Sequence, residues 1–153
     1  MVGFCLNNSE QYVGIGWSRL SEGIKSNDFQ AYYNRIKQES GKANPAINIF
    51  QNAKVDDLFW TRDLNGIYWI CRVKSRAEVI CDRLMDIGSL IPVEAYNFGM
   101  QVPGQIKASF NRVNGGTAGY IRDEIIIEYS KLVFNQLSKS NYYQVIPYAG
   151  GFA

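Results

Sequence analysis

Trp17 follows Gly14-Ile15-Gly16 and precedes Ser18 in the stretch LNNSEQYVGIGWSRL, a place where the backbone should bend. A large indole beside two glycines either plugs one end of a core or lines a pocket that takes a flat ligand. The chain holds Tyr 10, Phe 8 and Trp 3, an aromatic share of 14% that invites a stacking chemistry beyond ordinary packing. Catalytic alternatives are fewer. No histidine is present, which removes the commonest general base and the usual Ser-His and Cys-His pairs. What is left for catalysis is a carboxylate set, Asp56, Asp57, Asp63 and Asp82, which could serve a small metal-dependent hydrolase or nuclease if three of them converge.

Composition sets the frame in which those residues act. At 153 residues the chain suffices for one domain that buries about two-thirds of its unfolded surface without a staple. Cys5, Cys71 and Cys81 are odd in number and lack zinc-ligand spacing, so reduced thiols, no structural zinc and no disulfide are expected. No apolar run reaches the ~18 residues of a membrane span, and the N-terminus lacks the features of a secretory signal, which predicts a cytoplasmic protein. A net charge of +2 is too small for binding through phosphate contacts alone, so any nucleic-acid contact requires a local patch. Arg62, Lys74 and Arg76 flank the central hairpin, and Lys107, Arg112 and Arg122 lie near the final loop. A solvated surface is the plainer reading of those cations.

The elements that must position these residues follow from periodicity. VGFCL (2–6) reads as a buried strand and YVGIGW (12–17) as a glycine-punctuated extended segment or turn. In NDFQAYYNRIKQES, with Asn27 or Asp28 as cap, Phe29, Tyr32, Tyr33 and Ile36 make the apolar stripe of a helix. Pro45 suits the first turn of a second, shorter helix. Two aromatic and β-branched runs, roughly 57–62 and 67–74, flank Asn65-Gly66 as hairpin strands. Alternation puts Trp69, Cys71 and Val73 on one face, the look of core, and core is also the plainer role for Trp60. RAEVICDRLMDIGSLI fits a loop with a helical turn or a partial strand, IPVEAYNFG a strand, and 105–112 a further strand. Asp123 caps a terminal amphipathic helix with Ile126, Tyr129, Val133 and Leu137 on one face. Residues 141–153 read as a tail or the start of a linker after a domain of 1–140. This order predicts an α+β fold.

In order, LNNSEQYVGIGWS, the aromatic helix FQAYYNRI, LFWTRDLNGIYWICRV, IPVEAY and VPGQIKASFNRVNGG…YIRDEIIIEYSKLVFNQL resemble YTH and EVE domains of the PUA-like superfamily over about 130 residues. The resemblance implies a curved β-barrel with flanking helices that takes a flipped base into an aromatic cage. YTH members read N6-methyladenine, and EVE-like members often read modified cytosines. On the matching positions Trp17 forms the first cage wall, the backbone of Ser18 faces the base, and Asn7 or Asn8 bonds a ring nitrogen. YTH domains take a second tryptophan from the loop after the second hairpin strand, and the loop here has none. The opposite wall then comes from Trp60, Tyr68, Trp69 or Tyr96, or the cage is incomplete. Asn7 and Asn8 also suit a turn.

The expected function is therefore a binding module, not an enzyme, that recognises a modified base, in DNA rather than RNA, and uses no cofactor. The resemblance further implies an effector nuclease or NTPase as partner, as in modification-dependent restriction and phage defence. The competing expectations are a PUA-like RNA-binding module in translation or RNA modification, and the metal-dependent hydrolase above.

Overall fold

The computed structural model of the chain describes residues 2–6, 9–40, 45–111 and 119–146. In chain order the elements are β1 (Val2–Cys5), β2 (Tyr12–Ile15), α1 (Ser18–Ser21), α2 (Phe29–Ser40), α3 (Pro45–Asn52), β3 (Leu58–Arg62), β4 (Tyr68–Val73), β5 (Glu78–Asp82), β6 (Ile87–Gly99), α4 (Gly104–Phe110) and α5 (Glu124–Ser138). The fold is α+β, with strands in the order β1-β2-β6-β4-β3 and β5 paired to β6. No helix among the described residues is long and apolar enough to cross a membrane.

The chain packs as two compact units. The first takes the described residues up to Asp57 and Arg72–Glu94. Its strands are antiparallel: Val2 opposes Ile15 and Cys5 opposes Tyr12, while Ile15 opposes Ser89 and Tyr12 opposes Pro92. The segment left open between helix and strand is a hairpin, β5 to β6, with Glu78 opposite Leu90 and a register shift between Val79 and Asp82. Its second strand continues without a break through the expected strand IPVEAYNFG. Burial of Ile87, Ser89, Ile91 and Val93 repeats every second residue, so the strand period decides the matter over the helical one.

Helices in this unit form where the apolar stripe predicts them. Asp28 is the cap residue of α2: its Oδ1 accepts from Ala31 N–H at 3.2 Å. Tyr32 and Ile36 are buried, and Phe29 and Tyr33 are half-buried. Pro45 opens α3, where its missing N–H costs nothing, and Ala46, Ile47 and Phe50 turn inward. A tie between the helices' polar flanks is the hydrogen bond between Gln30 and Gln51 at 2.8 Å.

The second unit holds Leu58–Cys71 and the described parts of Ala95–Gly115 and Tyr120–Ala153. Its core is Trp60, Tyr68, Ile70, Ile106, Ile126, Val133 and Phe134. Each fully buried side chain of this kind stabilises the fold by about 1.5–3 kcal/mol relative to exposure. The hairpin at Asn65-Gly66 forms, but with a three-residue loop: Asp63 N–H donates to Ile67 C=O at 2.9 Å, and only Gly66 in this turn has a positive φ, 79°. Asp63 Oδ1 accepts from the N–H groups of Asn65 and Ile67, and Oδ2 accepts from the Trp69 indole at 3.1 Å. Trp69, Cys71 and Val73 are buried as expected; Tyr68 and Ile70 are buried too, because both faces of β4 are covered.

One expectation fails outright. Residues 105–112 were to continue as a strand, yet Gly104–Phe110 is the helix α4, started by Pro103 at its cap. Ile106 and Phe110 are one helical turn apart and both pack on the core while Ala108 between them is exposed, which a two-residue period would not allow. Asp123 caps α5 as expected, its carboxylate accepting from Ile125 and Ile126 N–H. Ile126 and Val133 are buried, with Tyr129 and Leu137 packed against the same core. After α5 the chain stays attached through Ile146: Asn135 receives Tyr143 N–H and donates to Tyr143 C=O, and Glu128 Oε2 accepts Ile146 N–H at 3.0 Å.

Candidate functional site

The bend foreseen at Gly16-Trp17-Ser18 is real and is held by the first unit. β2 ends at Ile15, and Trp17 then adopts φ 65° and ψ 46° before the single turn of α1. A left-handed conformation costs a residue with a side chain about 1–2 kcal/mol, and glycine would avoid it. Trp17 is largely buried with part of the residue left accessible, and burial of its side chain offsets that cost. Backbone strain of this sort persists where surrounding contacts enforce it.

Those contacts are visible. Asp86 Oδ1 accepts both the backbone N–H of Ser18 at 3.0 Å and its hydroxyl at 2.8 Å. These Ser18 bonds, aided by the N–H of Trp17, hold the Asp86 carboxyl below its usual range. The Tyr32 hydroxyl, from α2, donates to Gly16 C=O. Burial, with the nearby Asp86 charge, pushes the Tyr32 phenol upward, so it stays a neutral donor. Ser18 C=O accepts from Ser21 Oγ at 2.8 Å and from the Cys81 thiol at 3.4 Å. Gly88 on β6 is what lets the turn approach: a Cβ there would stand 2.8 Å from Gly16 O and 2.9 Å from Trp17 O.

Sequence reasoning named Trp17 and Ser18 in this cluster and missed Asp86, Tyr32 and Gly88. The only signal for the missed part was Asp86-Ile87-Gly88, and it carries meaning only once β6 is known to run beside β2. The N–H and hydroxyl of Ser18 are both engaged by Asp86, which fixes the turn.

The other named residues are placed elsewhere in the chain. Asn7, Asn8 and Arg112 lie outside the described residues. Trp60, Tyr68, Trp69 and Tyr96 belong to the second unit. Trp60 is buried with its indole N–H on Ser130 Oγ at 2.8 Å, and its ring meets Phe98 edge-on. Tyr68 is buried against Phe110, Trp69 is bonded to Asp63, and Tyr96 is half-buried against Phe134. Arg62 also works within the second unit, donating to Asn111 Oδ1 at 2.8 Å and to Phe110 C=O at 3.3 Å beside the Tyr68 and Phe110 rings. Lys74, Arg76, Lys107 and Arg122 are exposed.

The aspartates of the hydrolase reading do not converge: among the described residues no three His, Cys, Asp or Glu side chains could hold one metal ion. Asp56 pairs with Arg72, Asp57 accepts Lys54 N–H, Asp63 builds its turn and Asp82 accepts Met85 N–H. Cys71 and Cys81 are free thiols, the first buried and the second exposed. A cavity of about 480 Å3 lies in the second unit at the end of α5, beside Gln136, Lys139 and Tyr143, and contains none of the residues named from the sequence. Comparison with protein-family models, with curated proteins and with solved structures finds no match to this chain.

Proposed function

We propose that this chain is a nucleic-acid-binding module of PUA-like, YTH/EVE-type architecture that recognises a modified base in DNA, with Trp17 as the stacking surface. The observation that carries this reading is the left-handed, partly accessible Trp17, its backbone held by Asp86, Tyr32 and Gly88 where glycine would be the unstrained choice. A tryptophan whose backbone is held in place suits a flipped base, since stacking contributes about 1–3 kcal/mol per base and less ordering is left to binding. The module acts in the cytoplasm and directs an effector nuclease or NTPase that carries the chemistry. Asp86 positions the turn. Exposed Lys74 and Arg76, in the same unit as Trp17, supply phosphate contacts.

The test is a titration of wild type and Trp17→Ala against matched oligonucleotides carrying N6-methyladenine, 5-methylcytosine, 5-hydroxymethylcytosine or no modification, each as DNA and as RNA. Wild type is expected to prefer one modified DNA, and Trp17→Ala to bind it roughly 5- to 150-fold more weakly while remaining folded. Equal wild-type binding to every oligonucleotide overturns the reading, and a preference for single-stranded RNA without regard to modification puts the RNA-binding alternative in its place.

A further inference from the structure

Leu84 and Met85 are large apolar side chains left in solvent, 94% and 65% exposed. They sit together at the tip of the β5–β6 hairpin, where Asp82 opposes Ile87 and residues 83–86 form the loop. That loop is braced on both sides. Asp82 Oδ1 accepts Met85 N–H at 3.0 Å, and Arg83 is paired with Glu22 at 2.5 Å. The residue after Met85 is Asp86, which holds Ser18 by two hydrogen bonds and so ties the hairpin tip to the Trp17 turn. Neither side chain is buried, so neither contributes hydrophobic burial to the fold.

We propose that Leu84 and Met85 form a wedge that enters the base stack of duplex DNA and fills the gap left by the base stacked on Trp17. The inference rests on the modified-base reading above and assigns a second task within it. Flipping leaves a hole in the duplex and costs unstacking free energy, and bulky apolar side chains, Leu and Met among them, are the kind that offset it by taking the vacated space. Attachment through Asp86 favours this occupant over a protein partner, because it gives the apolar tip a fixed placement relative to the one aromatic surface built into the turn. The wedge acts on the duplex alone. A single strand needs no gap filled.

The experiment compares the 153-residue chain with Leu84→Ser, Met85→Ala and Trp17→Ala on the preferred modified oligonucleotide as duplex and as single strand. A 2-aminopurine placed beside the modified base reports unstacking. Leu84→Ser and Met85→Ala are expected to bind duplex about tenfold more weakly and to lose the 2-aminopurine signal, with single-strand binding unchanged. Trp17→Ala is expected to weaken both forms. Exposed positions of this kind change stability little, so loss of fold does not confuse the result. If the tip variants match wild type on duplex, or weaken both forms equally, the wedge is overturned while the modified-base reading stands. If Leu84→Ser leaves duplex binding intact but abolishes self-association in sedimentation, the tip is a contact between copies and the wedge is again overturned. Wild type that binds no modified oligonucleotide in either form removes both proposals.

Discussion

One carboxylate oxygen of Asp86 receives two donors from Ser18, the backbone N–H at 3.0 Å and the hydroxyl at 2.8 Å. The pair is separated by most of the first unit's sequence, yet it fixes the one strained turn in which a tryptophan is displayed. Ser18 is almost fully buried whereas Asp86 is exposed, so the bond closes the turn from its solvent side.

That relationship predicts a pH signature. The Ser18 bonds lower the folded-state pKa of Asp86, so its contribution is complete above the ordinary aspartate value of about 4 and is lost as pH falls through the lower folded value. Asp86→Asn keeps an acceptor, tolerates the local φ of 52° and cannot titrate. Urea unfolding at pH 7, 5, 4 and 3 should show wild type more stable at neutral pH, with the gap between the two closing below pH ~4. Asp63, Asp123 and Glu128 also have lowered values, but they are common to both proteins and cancel in the difference. A gap that stays constant with pH would show that the Asp86 charge contributes nothing.

The left-handed backbone at residue 17 separates two truncations that differ by one methyl group. Both Trp17→Ala and Trp17→Gly lose the indole, but only alanine retains the conformational penalty, so the glycine variant should be the more stable by about 1 kcal/mol. Denaturant midpoints decide it. Alanine at or above glycine would mean that residue 17 is not held left-handed in solution.

Gly88 tests the close approach. Adding a methyl group there drives it into the carbonyls of Gly16 and Trp17 and against the Tyr32 hydroxyl, none of which is a flexible chain end. Gly88→Ala should lose about 1–3 kcal/mol of stability. It should also impair binding as Trp17→Ala does, although it removes no side chain from the surface. Wild-type stability in this variant would contradict the packing of β6 beneath the turn.

Arg62 and Arg76 were grouped in one basic patch, and they should now part company. Arg62→Gln breaks bonds to Asn111 and Phe110 and should lower the urea midpoint, whereas Arg76→Gln should leave stability within about 0.5 kcal/mol and reduce the salt dependence of binding. The reverse pattern would reassign Arg62 to the nucleic acid.

Much of the local structure was legible in the chain. The helix through Tyr32 and Ile36, the Asp123 cap, the start of α3 at Pro45 and the hairpin at Gly66 each depend on neighbours within a few residues, and short-range sterics and hydrogen bonds decide them. Over residues 78–91 two periods fit equally and the sequence was silent; 78–82 and 87–91 became strands through pairing with each other and with β2. At 104–110 the expected strand gave way to a helix, in which Ile106 and Phe110 pack on one core while Ala108 stays exposed.

The candidate site divides the same way. Trp17 could be named from its glycine neighbours, because a bend and a bulky aromatic residue are properties of adjacent positions. Its left-handed backbone, the capture of Ser18 by Asp86, the Tyr32 bond to Gly16 and the space left by Gly88 were decided only in three dimensions. Each joins residues far apart in sequence, and a hydrogen bond acts over about 3 Å whatever the length of chain between its partners. The same cause removed Trp60 and Tyr68 from the surface: aromatic type says that a ring will be buried against something, and only the packed core says against what.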